Sequence, residues 1–145
     1  MGVTAAVAVL VWLAVLSGYD IRERRLPNLL TLPGAAMILL AAAVAGRGWP
    51  AVAGATALTA VYLLVHSLAP AGMGAGDVKL AIGLGALAGC FGAGVWFLAA
   101  LAAPLLTVSW GLLGRLLGRA CSARVPHGPS MCAATAAAIG LALGI

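Results

Sequence analysis

Long apolar runs follow one another along almost the whole chain, with only short polar connections between them. A helix needs roughly 20 consecutive apolar residues to cross the hydrocarbon core of a bilayer. Hydrophobic residues make up 64% of the sequence and charged residues 8%, and the mean hydropathy is +1.16. Soluble domains do not reach these values, so the sequence predicts a polytopic membrane protein.

The membrane segments are predicted to be helices, because lipid cannot satisfy the open backbone groups of a sheet edge. The apolar runs divide into about six spans, at residues 2–19, 29–45, 51–69, 77–91, 94–113 and 129–145. The first run has no basic residues before it and no small-residue cleavage site after it, which favours a permanent span over a signal peptide. We therefore expect an all-α protein with a single membrane-embedded domain over residues 1–145.

The basic residues predict how this domain is oriented, because cytoplasmic loops of membrane proteins carry an excess of Lys and Arg. Seven of the eight basic residues fall on one side of the predicted spans: Arg22, Arg24, Arg25, Lys79, Arg115, Arg119 and Arg124. Only Arg47 falls in a connection on the other side. We expect the basic side to be cytoplasmic and both termini to lie outside. This distribution explains the net charge of +5 without nucleic-acid binding.

The cysteines give no sign of a metal site. Cys90, Cys121 and Cys132 lack the CxxC spacing of structural zinc ligands. The glycine-rich fingerprints of nucleotide-binding loops are also missing from the sequence. We expect neither a metal nor a cofactor, and we interpret Cys90 and Cys132 as small packing residues, with Cys121 in a cytoplasmic loop.

Two aspartates are unusual in such an apolar chain. Asp20 follows the first span in GYDIRERRLPN, and Asp77 begins the fourth span in GMGAGDVKL. In the predicted orientation both lie at the cytoplasmic boundary of the membrane. A carboxylate at full membrane depth costs about 2.5–3.5 kcal/mol, so such groups usually have a function. Two carboxylates brought together ionise one at a time, which is the arrangement that activates water in aspartic proteases.

A purely structural explanation of the aspartates is also open from the residues alone. Asp20 would pair with Arg22 or Arg24 in a solvated loop, and Asp77 would cap the fourth helix. The alternating glycines ahead of Asp77 favour a function, because glycines are a poor start for a helix. They suit a backbone that another chain, such as a substrate strand, must approach closely.

The motifs around both aspartates resemble those of one known family. GMGAGDVKL is similar to the GxGD signature of the type IV prepilin peptidases, in which a lysine follows, here Lys79. DIRERRLPN resembles the family's first aspartate motif, with its basic residues and a Pro-Asn pair, here Pro27-Asn28. VPHGPS, at residues 125–130, is similar to the Gly-Pro element that opens the family's last span. The motifs occur in the family's order, so the resemblance covers essentially the whole chain.

This resemblance implies an intramembrane aspartic endopeptidase that removes the basic leader from prepilin or pseudopilin precursors at the cytoplasmic face of the bacterial inner membrane. Its catalytic pair would be Asp20 and Asp77. The supporting residues would come from the three motifs: Arg22, Pro27, Asn28, Gly74, Gly76, Lys79, Gly128 and Pro129. The implied partners are a precursor of the type IV pilus or a related secretion system and the lipid bilayer. The oligomeric state stays open.

Two features depart from the family's pattern. Longer members carry a cytoplasmic region with paired CxxC motifs that is associated with methylating the product. The lack of such pairs here predicts a peptidase without methyltransferase activity. The second departure is His127 in PHGP, where a larger apolar residue is expected.

The helix ends suggest a division of roles between the aspartates. Asp77 is expected near a helix N-terminus, where the macrodipole favours the anion, and Asp20 near a C-terminus, where it disfavours the anion. On this hypothesis Asp77 is the base and Asp20 carries the proton. Glu23 is predicted to be a solvated loop charge, and His66 is predicted to bond to a neighbouring helix.

Two other functions compete with the peptidase. A small non-enzymatic transporter or assembly subunit would use the aspartates as ion ligands, but transport sites lie near the bilayer midplane, often between internal repeats. Intramembrane proteases of the presenilin and signal-peptide-peptidase type share GxGD and a Tyr-Asp pair, here Tyr19-Asp20. The arginines and the Pro-Asn pair that follow favour the prepilin enzyme.

Overall fold

The computed structural model describes residues 2–70, 72–117 and 126–144, which form six α-helices and no β-strand. The helices are α1 (Val3–Glu23), α2 (Asn28–Val44), α3 (Gly48–Leu68), α4 (Ala75–Gly89), α5 (Ala93–Leu116) and α6 (Gly128–Leu143). The all-α class is therefore confirmed. Arg119, Arg124 and Cys121, which were placed in a cytoplasmic loop, lie outside the described residues.

Three of the helices, α1, α3 and α5, are long and apolar enough to cross a membrane, and α2 and α6 are apolar but shorter. Large apolar side chains are exposed on the outer faces of the helices, among them Leu10, Leu64, Leu105 and Val108. A soluble monomer rarely exposes apolar patches larger than a few hundred Å². The protein is thus an integral membrane protein, while six crossings and outside termini stay predictions.

Helix α4 lies at the centre of the assembly. It contacts α2, α3, α5 and α6, and nearly every residue from Leu80 to Gly89 is buried. Its 15 residues extend for only about 22 Å, less than the roughly 30 Å of a bilayer core. Its neighbours bury it on all sides, so its glycines serve close helix packing.

The crossing of α3 and α4 depends on glycines. A Cβ atom added to Gly85 would lie 2.5 Å from the Gly54 carbonyl oxygen and 2.9 Å from the Leu58 Cβ atom. Trp96 of α5 closes the crossing, because its indole N–H donates to the Gly54 carbonyl oxygen at 3.0 Å. Small residues let membrane helices approach this closely, and a larger residue would force the two backbones apart.

Replacing Gly85 with Ala is therefore expected to lower the free energy of unfolding by about 1–3 kcal/mol, the usual cost of overpacking. The obstructing atom is a backbone carbonyl oxygen of another helix, which cannot rotate away. Gly94→Ala is the matched control, since apart from its chain neighbours and the nearby backbone of α5, no described heavy atom lies within 4 Å of a Cβ atom there. Thermal unfolding in detergent micelles measures both variants, and an unchanged Tm for Gly85→Ala would contradict the crossing geometry.

Two chain connections and the start of α6 meet at one end of the helices. Helix α1 ends at Glu23, and the next residue, Arg24, has a φ of 51°, in the left-handed region that non-glycine residues rarely adopt. The chain then turns into α2, with Leu26 buried. The connection before α4 is fixed by His66, whose Nδ1–H donates to the Met73 carbonyl oxygen at 2.9 Å. The prediction that His66 bonds to a neighbouring helix is wrong, because its partner lies in the connection that follows its own helix.

Candidate active site

A cavity of about 590 Å³ opens where α1 ends and α4 begins. It is lined by both motif aspartates, Asp20 and Asp77, by the basic residues Arg24, Arg25 and Lys79, and by His127. The remaining walls come largely from the glycine-rich segment 72–76, which leads into the first turn of α4. The fold thus brings two carboxylates from distant motifs to one polar cavity in an otherwise apolar protein.

Asp20 lies in the last turn of α1 and is only 7% exposed. Its Oδ2 atom accepts the backbone N–H of Gly128 at 3.0 Å. Gly128 is the first residue of α6, so the carboxylate lies at the N-terminus of that helix. The unpaired N–H groups and the dipole of a helix N-terminus favour a negative charge there.

Asp77 is the third residue of α4 and is 8% exposed. Its Oδ2 atom accepts the Gly74 N–H at 3.2 Å, and its own N–H donates to the Gly74 carbonyl oxygen at 3.1 Å. This reciprocal pairing satisfies backbone donors that a helix start would otherwise leave without partners. The side chain is thereby held at the rim of the cavity.

A second helix end bears on the expected division of roles between the two aspartates. Helix α1 continues through Glu23, beyond Asp20, and the Asp20 carboxylate contacts the N-terminus of α6. Asp20 therefore lies both in the last turn of α1 and beside the positive end of α6, whereas Asp77 lies at the positive end of α4. The division of roles, with Asp77 as the base and Asp20 as the proton carrier, stays a prediction.

The first and second aspartate motifs are joined by a side-chain hydrogen bond. Lys79 Nζ donates to Asn28 Oδ1 at 2.8 Å, which connects α4 to the first residue of α2. Pro27 precedes α2, and its carbonyl oxygen accepts the N–H and the hydroxyl of Thr31. A Cβ atom on Gly76 would lie 3.2 Å from Leu26 Cβ, so this glycine lets the connection after α1 pack closely on α4.

The other predicted supporting residues take different positions. Arg22 is exposed on the last turn of α1, as is Glu23, and neither is among the described residues that line the cavity. Arg24 and Arg25 line it instead. Pro129 is the second residue of α6, a position where the missing N–H has no intrahelical partner in any case.

His127 makes contacts that the sequence analysis missed. Its Nε2 atom lies 2.9 Å from the Tyr62 hydroxyl oxygen, and its Nδ1 atom lies 2.6 Å from Thr107 Oγ1. Tyr62 is on α3 and Thr107 is on α5, so one imidazole joins two helices to the start of a third. The unexpected histidine in PHGP was the available signal, but its partners could not be read from the sequence.

The hydrogen-bond pattern around His127 defines its tautomer. Thr107 Oγ1 donates to the Ala103 carbonyl oxygen at 3.0 Å, so it accepts from the His127 Nδ1–H. Nε2 then accepts the Tyr62 hydroxyl proton. Burial lowers the pKa of His127 below its ordinary value of 6.5, so the imidazole is neutral at pH 7.

We expect ¹⁵N NMR of the imidazole nitrogens to show a neutral Nδ1–H tautomer for His127 at pH 7. Because burial lowers the pKa, His127 is expected to become protonated at a lower pH than an exposed histidine. The His127→Gln variant identifies the imidazole signals of His127, because those signals are missing from its spectrum. A neutral Nε2–H tautomer, or an imidazolium at pH 7, would contradict this assignment.

The described residues hold no group of three or more His, Cys, Asp or Glu side chains that could bind a metal ion. The polar chemistry of the cavity therefore rests on the two carboxylates, three basic side chains and one neutral imidazole described above. Together these features define a helical integral membrane protein with a carboxylate-lined cavity at one end of its helices.

The sequence profile of the type IV leader peptidase family matches residues 7–118, which include both aspartates. The chain belongs to this family, and the resemblance of its motifs to the prepilin peptidases is confirmed. No curated protein and no solved structure matches the chain significantly. Gly128 and His127 lie beyond the matched residues, so their contacts are known from the structure alone.

Proposed function

We propose that this protein is an intramembrane aspartic endopeptidase that cleaves the basic leader from prepilin-like precursors, using Asp20 and Asp77 to activate water. One observation carries the proposal: two carboxylates from distant motifs line a single cavity, and each accepts a backbone N–H at the start of a helix. Membership of a leader peptidase family favours this function over a transporter.

The chemistry requires two carboxylates in opposite protonation states. One carboxylate takes a proton from water, and the resulting hydroxide attacks the scissile carbonyl carbon while the protonated partner donates to the carbonyl oxygen. The tetrahedral intermediate then breaks its C–N bond as the leaving amine receives a proton. The backbone donors at Gly128 and Gly74 would keep each carboxylate oriented through these transfers.

The cavity is proposed to face the cytoplasm. Arg24, Arg25 and Lys79 line it, and basic residues mark the cytoplasmic side of membrane proteins. In this orientation α2, α4 and α6 would also cross the inner membrane, with both termini outside. The proposal covers leader removal and not methylation of the product, because the cysteines of the chain form no CxxC pairs.

Co-expression with a reporter precursor tests the proposal. The reporter carries a basic leader followed by an apolar helix, and mass spectrometry reads the N-terminus of its product. We expect wild type to release the leader, and Asp20→Asn and Asp77→Asn to release none although both proteins insert. Glu23→Gln is the matched control, because it removes an exposed acid from the same turn as Asp20. Leader release by either aspartate variant would contradict the proposed catalytic pair. The absence of leader release by wild type would contradict the proposed peptidase activity.

A further inference from the structure

We propose that Tyr62, His127 and Thr107 form a positioning chain that holds the start of α6, and with it the Gly128 N–H, against the Asp20 carboxylate. This proposal rests on the proposed function, because it assigns the chain a part in leader cleavage. The three residues are positioning residues, since they act on the site through Gly128.

The chain fixes the orientation of residue 127 from two sides. The two imidazole nitrogens point to different helices, at 2.9 Å from the Tyr62 hydroxyl on α3 and 2.6 Å from the Thr107 hydroxyl on α5. Tyr62 is 5% exposed, and its ring centroid lies 5.6 Å from that of His127. Rotation of the imidazole would break both hydrogen bonds, so the side chain has one stable orientation.

The fixed side chain controls the peptide bond that follows it. The N–H of the peptide bond between His127 and Gly128 donates to Asp20 Oδ2 at 3.0 Å. The His127 carbonyl oxygen accepts the Met131 N–H, which begins the hydrogen-bond ladder of α6. A change in the orientation of His127 would therefore tilt this peptide and lengthen its hydrogen bond to Asp20.

The chain also borders the cavity of the second aspartate. His127 itself lines the cavity with both carboxylates. Thus the imidazole connects the cavity lining to the backbone donor of Asp20. These contacts explain why a histidine occupies position 127 in PHGP, which packing alone does not explain.

Two substitutions remove single hydrogen bonds from the chain. Tyr62→Phe removes the hydroxyl that donates to Nε2, and Thr107→Val removes the oxygen that accepts from Nδ1–H. We expect each to lower kcat roughly fivefold to tenfold, the value of one hydrogen bond, while KM stays within about twofold. The double variant should be little slower than either single one, because both bonds hold the same ring.

Thr56→Val is the matched control. Its hydroxyl donates to the Val52 carbonyl oxygen of its own helix at 2.8 Å, as the Thr107 hydroxyl does to Ala103. The control therefore loses an equivalent bond within its helix but no contact with His127. It is expected to keep the wild-type kcat. Thermal unfolding identifies any variant whose loss reflects instability of the whole protein.

Amide hydrogen exchange provides a readout that does not depend on cleavage. With ¹⁵N-glycine labelling, the Gly128 amide is expected to exchange roughly tenfold faster in Tyr62→Phe and Thr107→Val, since its hydrogen bond to Asp20 opens more often. The Gly74 amide, which donates a hydrogen bond to Asp77 Oδ2, serves as the internal reference, and its exchange rate should be unchanged. Wild-type kcat together with wild-type Gly128 exchange would overturn the positioning proposal. If the wild-type protein cleaves no precursor, the proposed function is contradicted. The positioning proposal is then decided by the exchange rate of the Gly128 amide.

Discussion

Asp20→Asn and Asp77→Asn are each expected to lower the rate of leader cleavage by about a hundredfold to ten-thousandfold, the contribution of a general acid or base. Asparagine has nearly the same size as aspartate but neither takes up nor releases a proton at the required step. The double variant is expected to be no slower than the single variants, because groups that act as one unit lose their effect together. Initial rates with purified protein in detergent and a reporter precursor measure all three variants.

Glu23→Gln provides the control for charge, since Glu23 is the remaining acid of the chain and is exposed. Its rate should match wild type. Additive losses in the double aspartate variant would mean that the two carboxylates act in separate steps. A rate within a few fold of wild type for either single variant would remove that residue from the chemistry.

The sequence predicted the helices well because their apolar runs are strong and are separated by clear breaks. The predicted span 29–45 corresponds to α2 (Asn28–Val44), and the span 77–91 corresponds to α4 (Ala75–Gly89). The central position of α4 was not predicted. Helices that face lipid and helices that face protein are equally apolar, so hydropathy alone does not separate them.

The sequence also indicated that Asp20 and Asp77 would lie at the same side of the membrane, and the structure places both on one cavity. The groups that orient Asp20 could not be predicted. Its donor, Gly128, is 108 positions away, and the partners Tyr62 and His127 are 65 positions apart. Such pairs depend on how α1, α3, α5 and α6 pack together, which no local pattern records. For the same reason, the local dipole of α1 alone does not describe the surroundings of Asp20.

The contact between α1 and α6 leads to the second large effect. Gly128→Ala is expected to lower kcat by about a hundredfold, because a catalytic group displaced by about 1 Å loses a factor of this size. A Cβ atom at this position would lie 2.7 Å from Asp20 Oδ2 and 3.1 Å from its Cγ atom. Either the carboxylate or the first turn of α6 must move, and both movements break the hydrogen bond from the Gly128 N–H.

Gly18→Ala tests whether this effect belongs to the contact rather than to any glycine near Asp20. Gly18 lies two residues before Asp20 on α1, and apart from its chain neighbours and the nearby backbone of α1, no described heavy atom is within 4 Å of its Cβ position. Alanine also favours a helix more than glycine does, by about 1 kcal/mol, so the control should fold at least as well as wild type. Equal kcat values for wild type, Gly18→Ala and Gly128→Ala would mean that Asp20 does not need the start of α6. A loss confined to Gly128→Ala would show that the last helix, although it lies beyond the residues matched by the family, holds one of the two carboxylates in its working position.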